Sequence, residues 1–207
     1  MRLKQWFLSV ILFCVSFSFL LFSRSFFSPP SSNPETTSLP QVSTRAANIV
    51  VLANKDYYPV LKERFEKAHS KIEGTIYLFR TTTFRDNEPA DLLRELAAAK
   101  KRNVQVNLVI DLSEESGKEY NEANQQAGKL LEKAGVNVRY DTSGVVTHAK
   151  TFVIDDRYCF VGSHNFTHSA LASNEELSLF VDSPELAKKI SEFIHQIPLS
   201  YQEPIAK

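Results

Sequence analysis

His148 and Lys150 stand one residue apart in this chain of 207 residues, and the run Thr151-Phe152-Val153-Ile154 separates them from Asp155. Side chains at i and i+2 share one face of a β-strand, so an extended conformation points His148 and Lys150 the same way. The β-branched and apolar filler has the character of a buried strand. Asp155-Asp156-Arg157 reads as a turn, and Tyr158 to Val161 reads as the returning strand. That hairpin delivers Gly162-Ser163-His164-Asn165 back to the level of His148 and Lys150. An imidazole, an ammonium, a hydroxyl and a carboxamide then meet at one end, a set of groups suited to a phosphate.

The stretch from Thr147 to Glu176 resembles the HKD motif of the phospholipase D superfamily, which includes small bacterial HKD nucleases and mitochondrial-type cardiolipin hydrolases, with its accompanying G-S-x-N segment and glutamate. Several residue types at fixed spacing, in a strand-turn-strand context, make the match specific. The resemblance covers about Ile49 to Ile194 and implies catalytic roles for His148, Lys150, Asp155 and Glu176. It also implies phosphate binding by Lys150, Ser163 and Asn165. For Asp155, capping of the turn and a direct part in chemistry both stand open. Ser163 can bond the phosphate, orient Glu176 or simply close the turn. Glu176 is implied to hold the nucleophilic imidazole by its other nitrogen, with Glu175 as the neighbouring competitor.

A phosphodiester is anionic and resists attack, so an enzyme that works without metal needs its own nucleophile and fixed positive charge around the phosphoryl oxygens. His148 offers the nucleophile, and Lys150 and Asn165 offer the charge and donors; the expected intermediate is a phosphohistidine. A second group must protonate the leaving oxygen and then activate water, a double role suited to another imidazole. Two-copy members of the superfamily carry both motifs in one chain of about double this globular length. The single copy here implies a homodimer, with the second motif supplied by the partner chain. No metal or other cofactor is expected. His164 and His168, four apart, lack a cysteine or acidic set to complete a zinc site. Arg80 and Arg85 are candidates for a substrate rim.

The expected substrate is a phospholipid such as phosphatidylcholine or cardiolipin, cleaved on its head-group side to phosphatidic acid. The alternatives are a metal-independent endonuclease acting on DNA or RNA, and a module that binds anionic lipid or nucleic acid without turnover. Composition bears on this choice through an asymmetry beneath the neutral total. Residues 1–47 hold Arg2, Lys4, Arg24 and Arg45 against Glu35, leaving 20 basic and 23 acidic side chains, a formal charge of −3, over 48–207. A generally basic nucleic-acid surface is therefore excluded, though not a local patch.

Residues 1–27 open with Arg2 and Lys4 and continue uncharged from Gln5 to Ser23. Nineteen residues at ~1.5 Å each match a bilayer core of ~30 Å, and no small-x-small exit follows. The expectation is one N-terminal transmembrane helix that anchors the domain on the extracytoplasmic, periplasmic side; the alternative is secretion after signal cleavage. Residues 28–47, rich in Pro, Ser and Thr, read as an extended linker, and 48–207 as the phospholipase D-like catalytic domain. Asn165-Phe166-Thr167 is a glycosylation sequon on a proposed site residue, which disfavours a glycosylating compartment and suits a bacterial envelope or an organelle surface. Cys14 lies in the apolar run and Cys159 in a predicted buried strand, so no disulfide is expected, and Cys159 reads as core.

From Asn48 onward strands and helices alternate. Strands are expected at Ile49–Leu52, Thr75–Phe79, Val104–Ile110, Val136–Tyr140, the hairpin, and Glu176–Val181. Helices are expected at Asp56–His69, Pro89–Lys101, Tyr120–Ala134, near Thr167, and from Ser183 to Ile194. The fold class predicted is an α/β, α-β-α sandwich around a mixed, mainly parallel sheet.

Overall fold

The computed structural model describes residues 48–81 and 87–200. The expected membrane segment, the linker and Arg85 lie outside the described residues, among which no helix is long and apolar enough to cross a membrane. The elements are β1 (Asn48–Ala53), α1 (Tyr57–Lys67), β2 (Lys71–Ile76), α2 (Glu88–Lys101), β3 (Gln105–Ile110), α3 (Lys118–Lys133), β4 (Asn137–Tyr140), β5 (Lys150–Ile154), β6 (Tyr158–Gly162), α4 (His168–Ala172), β7 (Leu177–Asp182) and α5 (Pro184–Gln196). Local chemistry sets several boundaries. Asn87, Thr167 and Ser183 cap α2, α4 and α5 by accepting the backbone N–H groups of Ala90, Ala170 and Leu186, and Pro89 and Pro184 sit where a helix loses nothing by lacking a donor.

The seven strands form one sheet in the order β1-β7-β6-β5-β2-β3-β4. The sheet is mixed, but it is not mainly parallel as predicted. Only β2–β3 and β3–β4 run parallel, while β1–β7, β7–β6, β6–β5 and β5–β2 run antiparallel. Parallel neighbours need a crossover, and α2 and α3 provide one for β2, β3 and β4. The tight hairpin β5–β6 and the short return through α4 instead reverse the chain each time. A second correction concerns β2, which begins at Lys71 rather than Thr75. Glu73 and Gly74, left out of the expected strand, lie inside β2: Glu73 is buried and meets His195 of α5 at 2.6 Å, and a Cβ on Gly74 would strike the Phe152 ring at 2.3 Å.

Helices cover both faces of the sheet. Tyr57, Leu61 and Phe65 of α1, Leu92 and Leu96 of α2, and Ala127 and Leu131 of α3 pack with Phe152 and Phe160 in the larger core. On the opposite face Ala187, Ile190 and Ile194 of α5 close over Val109, Val153, Cys159 and Val181. Cys159 is fully buried, as expected, and burial with the Asp182 charge pushes its thiol up to about 12, out of the reactive range. The smaller core stops short of the β1 edge. Ile49, Val51, Val161, Leu177 and Leu179, which share the face that α5 covers in part, stay 38–60% exposed.

Candidate active site

The hairpin turn is a two-residue loop in which Asp155 and Asp156 both have φ 54°, left-handed values that aspartate tolerates better than most residues, and Arg157 N–H donates to the Ile154 carbonyl at 3.1 Å. Register then sets Lys150 opposite Gly162. Gly162 must be glycine, because a Cβ there would lie 2.0 Å from Ser178 Oγ and 2.4 Å from Ser178 Cα. The segment leaving β6 runs beside the residues that follow β2. Phe166 N–H donates to the Leu78 carbonyl and Arg80 N–H to the Phe166 carbonyl, both at 2.9 Å. Asn165 accepts the Leu78 N–H at 3.2 Å through its side-chain oxygen, leaving its NH2 end for a ligand.

His148 lies two residues before β5, not within it, so the shared-face arrangement is replaced by a loop. Both candidates nevertheless gather on one aromatic side chain. The His148 ring centroid is 4.4 Å from that of Tyr77, and Lys150 Nζ sits 4.6 Å from the same ring. Lys150 also donates to the His148 carbonyl at 2.7 Å. His148 is exposed, whereas Lys150 is only 5% exposed. Burial pushes the Lys150 ammonium down to about 8, with Glu176 and Asp111 opposing the shift. Burial, followed by the Lys150 charge, also lowers His148, a shift towards the neutral imidazole; Asp111 opposes this.

Ser163 and Glu176 are joined directly, Ser163 Oγ donating to the carboxylate, and Asn174 Nδ2 donates to the other carboxylate oxygen at 3.1 Å. Glu175 turns away and accepts from Asn54 Nδ2 at 2.9 Å. Within one chain Glu176 makes no hydrogen bond to His148; its link to the cluster is through Ser163 and through its field at Lys150.

Asp155 is not brought to the site. It follows the far end of β5, five residues past Lys150, and its carboxylate accepts the N–H of Ser70 at 2.9 Å, that of Lys71 at 3.1 Å and the Ser70 hydroxyl at 2.8 Å, with His69 Nδ1 at 2.8 Å. Burial alone would raise its carboxyl, but these bonds hold it below the ordinary value. Of the two roles left open for Asp155, these bonds serve the structural one: they anchor the turn between α1 and β2. His164 is likewise structural. Fully buried, it stacks on Tyr57 at 4.2 Å and bonds Ser178 Oγ at 2.7 Å and the Asn54 carbonyl at 2.8 Å. His168 meets Glu88, and Arg80 meets Glu119 at 3.0 Å.

Four residues that sequence reasoning passed over complete the surroundings. Tyr77 supports His148 and Lys150. Asn124, fully buried in α3, accepts the Phe79 N–H at 2.7 Å and donates to the Tyr77 and Asp111 carbonyls at 2.8 Å each. Asp111 and Asp141 both accept the N–H of Thr147, at 2.8 and 3.0 Å. The available signal was positional, since each aspartate directly follows an apolar strand ending, Leu-Val-Ile-Asp111 or Val-Arg-Tyr-Asp141. His148 itself lines a cavity of about 330 Å³ whose wall is Val145, Val146, Ala149, Phe193, Ile197 and Pro198 together with the polar Thr147 and Gln196.

The family described as "Cardiolipin synthase, PLD-like domain" matches residues 61–197. A polyphosphate kinase of Mycobacterium tuberculosis (strain ATCC 25618 / H37Rv) is 22% identical over 176 residues, 82% of this chain and 23% of that protein. The polyphosphate kinase of Mycobacterium ulcerans (strain Agy99) is 24% identical over 156 residues, 71% of this chain and 21% of that protein. The chain thus spans under a quarter of the length of these curated relatives. Among solved structures, the phospholipase D family member Nuc from Salmonella typhimurium superposes with a TM-score of 0.62 at 24% identity, covering 75% of this chain and 99% of that one. NucT from Helicobacter pylori gives 0.57 at 21% identity, covering 73% and 95%. Both share the fold.

Proposed function

Because the chain belongs to the phospholipase D-like domain family, we propose that two copies assemble one phosphodiesterase site that cleaves a phospholipid on its head-group side. His148 attacks phosphorus and the bond to the head-group oxygen breaks. That oxygen takes a proton from His148 of the partner subunit. The same imidazole then deprotonates water, which attacks phosphorus, breaks the phosphorus–nitrogen bond and releases phosphatidic acid. Lys150 and the Asn165 amide hold the phosphoryl oxygens, and Glu176 acts through Ser163 and Lys150. One chain offers one motif, so the site is incomplete without the second copy. The exposed band of Val51, Leu179 and Val161 beside β6 is an apolar surface suited to covering by that copy.

The observation that carries the lipid reading is the apolar cleft at His148, whose Val145, Val146 and Phe193 are exposed although each is a large hydrophobic side chain. An acyl chain fits such a wall, and residues 1–27 as a membrane anchor would hold the domain near its substrate on the extracytoplasmic side, with secretion after cleavage as the alternative. A nuclease is the second reading. It is supported by Tyr77 and Tyr120, 6.0 Å apart edge to face, with the Arg80 guanidinium 5.5 Å over Tyr120, a stacking and cationic patch of the kind that takes unpaired bases. The full chain, assayed on phosphatidylcholine and cardiolipin liposomes and on single- and double-stranded DNA in chelator, is expected to release phosphatidic acid. Cleavage of DNA alone overturns the lipid assignment. Acid-quenched turnover is expected to leave a substrate fragment on His148, which would exclude a module that only binds; no adduct, with activity unchanged in His148→Ala, overturns the assignment of His148 as nucleophile.

A further inference from the structure

Asp111 and Asp141 belong to neither the motif nor the phosphate-binding set, yet both are buried behind it, at 0% and 1% exposure. They come together because β3 and β4 are parallel neighbours with Ile110 opposite Tyr140, so the residues just past their carboxyl ends lie side by side. One donor, the Thr147 N–H, is held between Asp111 Oδ1 at 2.8 Å and Asp141 Oδ2 at 3.0 Å. Each remaining oxygen has its own donor. Ser116 Oγ approaches Asp111 Oδ2 at 2.5 Å, with Ser113 Oγ at 3.3 Å, and Leu112 N–H approaches Asp141 Oδ1 at 2.7 Å.

Two carboxylates this close, out of water and converging on a single N–H, cannot both stay ionised without a cation between them. Among the described residues none of their hydrogen-bond partners is a cation. Burial, with the Asp111 charge beside it, raises Asp141, which makes it the side that favours the proton. The charged and titratable groups facing the pair are His148 and Lys150 on the Thr147–Lys150 segment; Glu176 faces Lys150 from the start of β7. The negative charge on Asp111 acts on both, favouring the protonated form of each.

We infer that Asp111 and Asp141 work as one carboxylate pair sharing a single proton, which fixes the backbone entering His148 and keeps one negative charge behind His148 and Lys150. These are positioning residues: they grip the residue before the nucleophile, so a small shift in that grip moves the imidazole relative to phosphorus. Misplacement of about 1 Å is enough to lower a rate ~100-fold. The inference rests on His148 as the nucleophile, but its test does not depend on turnover.

The test follows the His148 ring by NMR titration in the full chain, alongside kcat and KM on bis(4-nitrophenyl) phosphate. In Asp111→Asn/Asp141→Asn the His148 midpoint is expected to move to lower pH, because the charge favouring its protonation is gone. In the same variant kcat is expected to fall about 10- to 100-fold with KM within about threefold. Asp141→Asn alone is expected to lose at least tenfold less, since a neutral amide that donates to Asp111 stands where the shared proton would be. A His148 midpoint unchanged in the double variant, or an Asp141→Asn loss as large as the double's, overturns the inference. Should the double variant fail to fold, the titration is read in Asp141→Asn, which keeps one negative charge: the His148 midpoint is expected to stay where the wild type has it, and a fall to lower pH, the mark of two ionised carboxylates in the wild type, overturns the inference. If the wild type turns over no phosphodiester at all, the function proposed above fails while the titration still decides the pair.

Discussion

Replacing Lys150 by methionine is expected to stabilise the fold while abolishing the chemistry. The Lys150 ammonium is moved from an ordinary 10.5 to about 8, chiefly by burial. At ~1.4 kcal/mol per pH unit this corresponds to ~3 kcal/mol against the charged folded form. Methionine keeps the stem and removes the charge. It also removes the 2.7 Å bond to the His148 carbonyl and the contact with Tyr77, together worth ~1–2 kcal/mol. The net gain is ~1–2 kcal/mol, or ~2–8 °C in Tm for a domain of this size. The sign with pH follows from a folded value below the unfolded one. The burden on the wild type is fully present below about pH 8 and fades as pH rises from there towards 10.5, where the unfolded chain also loses its proton. Thermal unfolding of both proteins at one concentration, at pH 7 and pH 10, should therefore show a methionine advantage that shrinks at the higher pH. A variant that melts below the wild type at pH 7, or a gap that does not change with pH, refutes the desolvation argument.

The same shift sets activity. The wild-type kcat/KM is expected to fall above about pH 8 as Lys150 loses its proton, and a profile level from pH 7 to 10 would show that its charge is not used. Glu176→Gln removes a charge that keeps Lys150 protonated, so the basic limb should move to lower pH; an unmoved limb would break the link between them. Asp155→Asn is expected to leave kcat within about threefold while lowering stability by ~2 kcal/mol, through its charge-assisted bonds to Ser70 and Lys71. Because the folded Asp155 value is depressed, that stability is present above about pH 4 and lost as pH falls further; the gap between wild type and variant in thermal melts should be smaller at pH 3 than at pH 7. Gly162→Ala drives a Cβ into Ser178 and should lower stability by ~1–3 kcal/mol and activity with it, read by melting and turnover.

The sequence makes the helices and most strands legible because their apolar periodicity and caps are local properties. Pro89 and Ser183 mark two helix starts within a residue of the observed ones. The hairpin and the return of Gly162 to Lys150 are readable for the same reason. Strand direction is not local. The expectation of a mixed but mainly parallel sheet fails beyond the expected hairpin, where β7 reverses against β6 and β1 against β7, and nothing in their composition differs from that of a parallel strand. Asp155 illustrates the limit at the level of one residue. Its place in a resemblance implies chemistry, but the donors that hold its carboxylate come from Ser70 and Lys71, far away in sequence. Glu73 falls outside the expected strand Thr75–Phe79 because its partner, His195, sits on the last helix.

Strand direction alone accounts for which residues reach the site. The parallel strands β2, β3 and β4 end at one edge of the sheet, and the residues just past them are Tyr77, Asp111 and Asp141. β5 is antiparallel to β2, so its beginning lies at that edge, which puts His148 and Lys150 there and carries Asp155 to the opposite one. β6 reverses again and its end, Gly162 and Ser163, comes back; β7 reverses once more and brings its start, Glu176 and Leu177. Every residue argued here to hold phosphate, attack it or position the attacker follows from this alternation. So does the exclusion of Asp155, since no rotamer spans a five-residue strand of ~16 Å. A variant that restored a carboxylate near Lys150 would have to place it on an odd end, after β2, β3, β4 or β6 or before β5 or β7, and Asp111, Asp141 and Glu176 already occupy three of those positions.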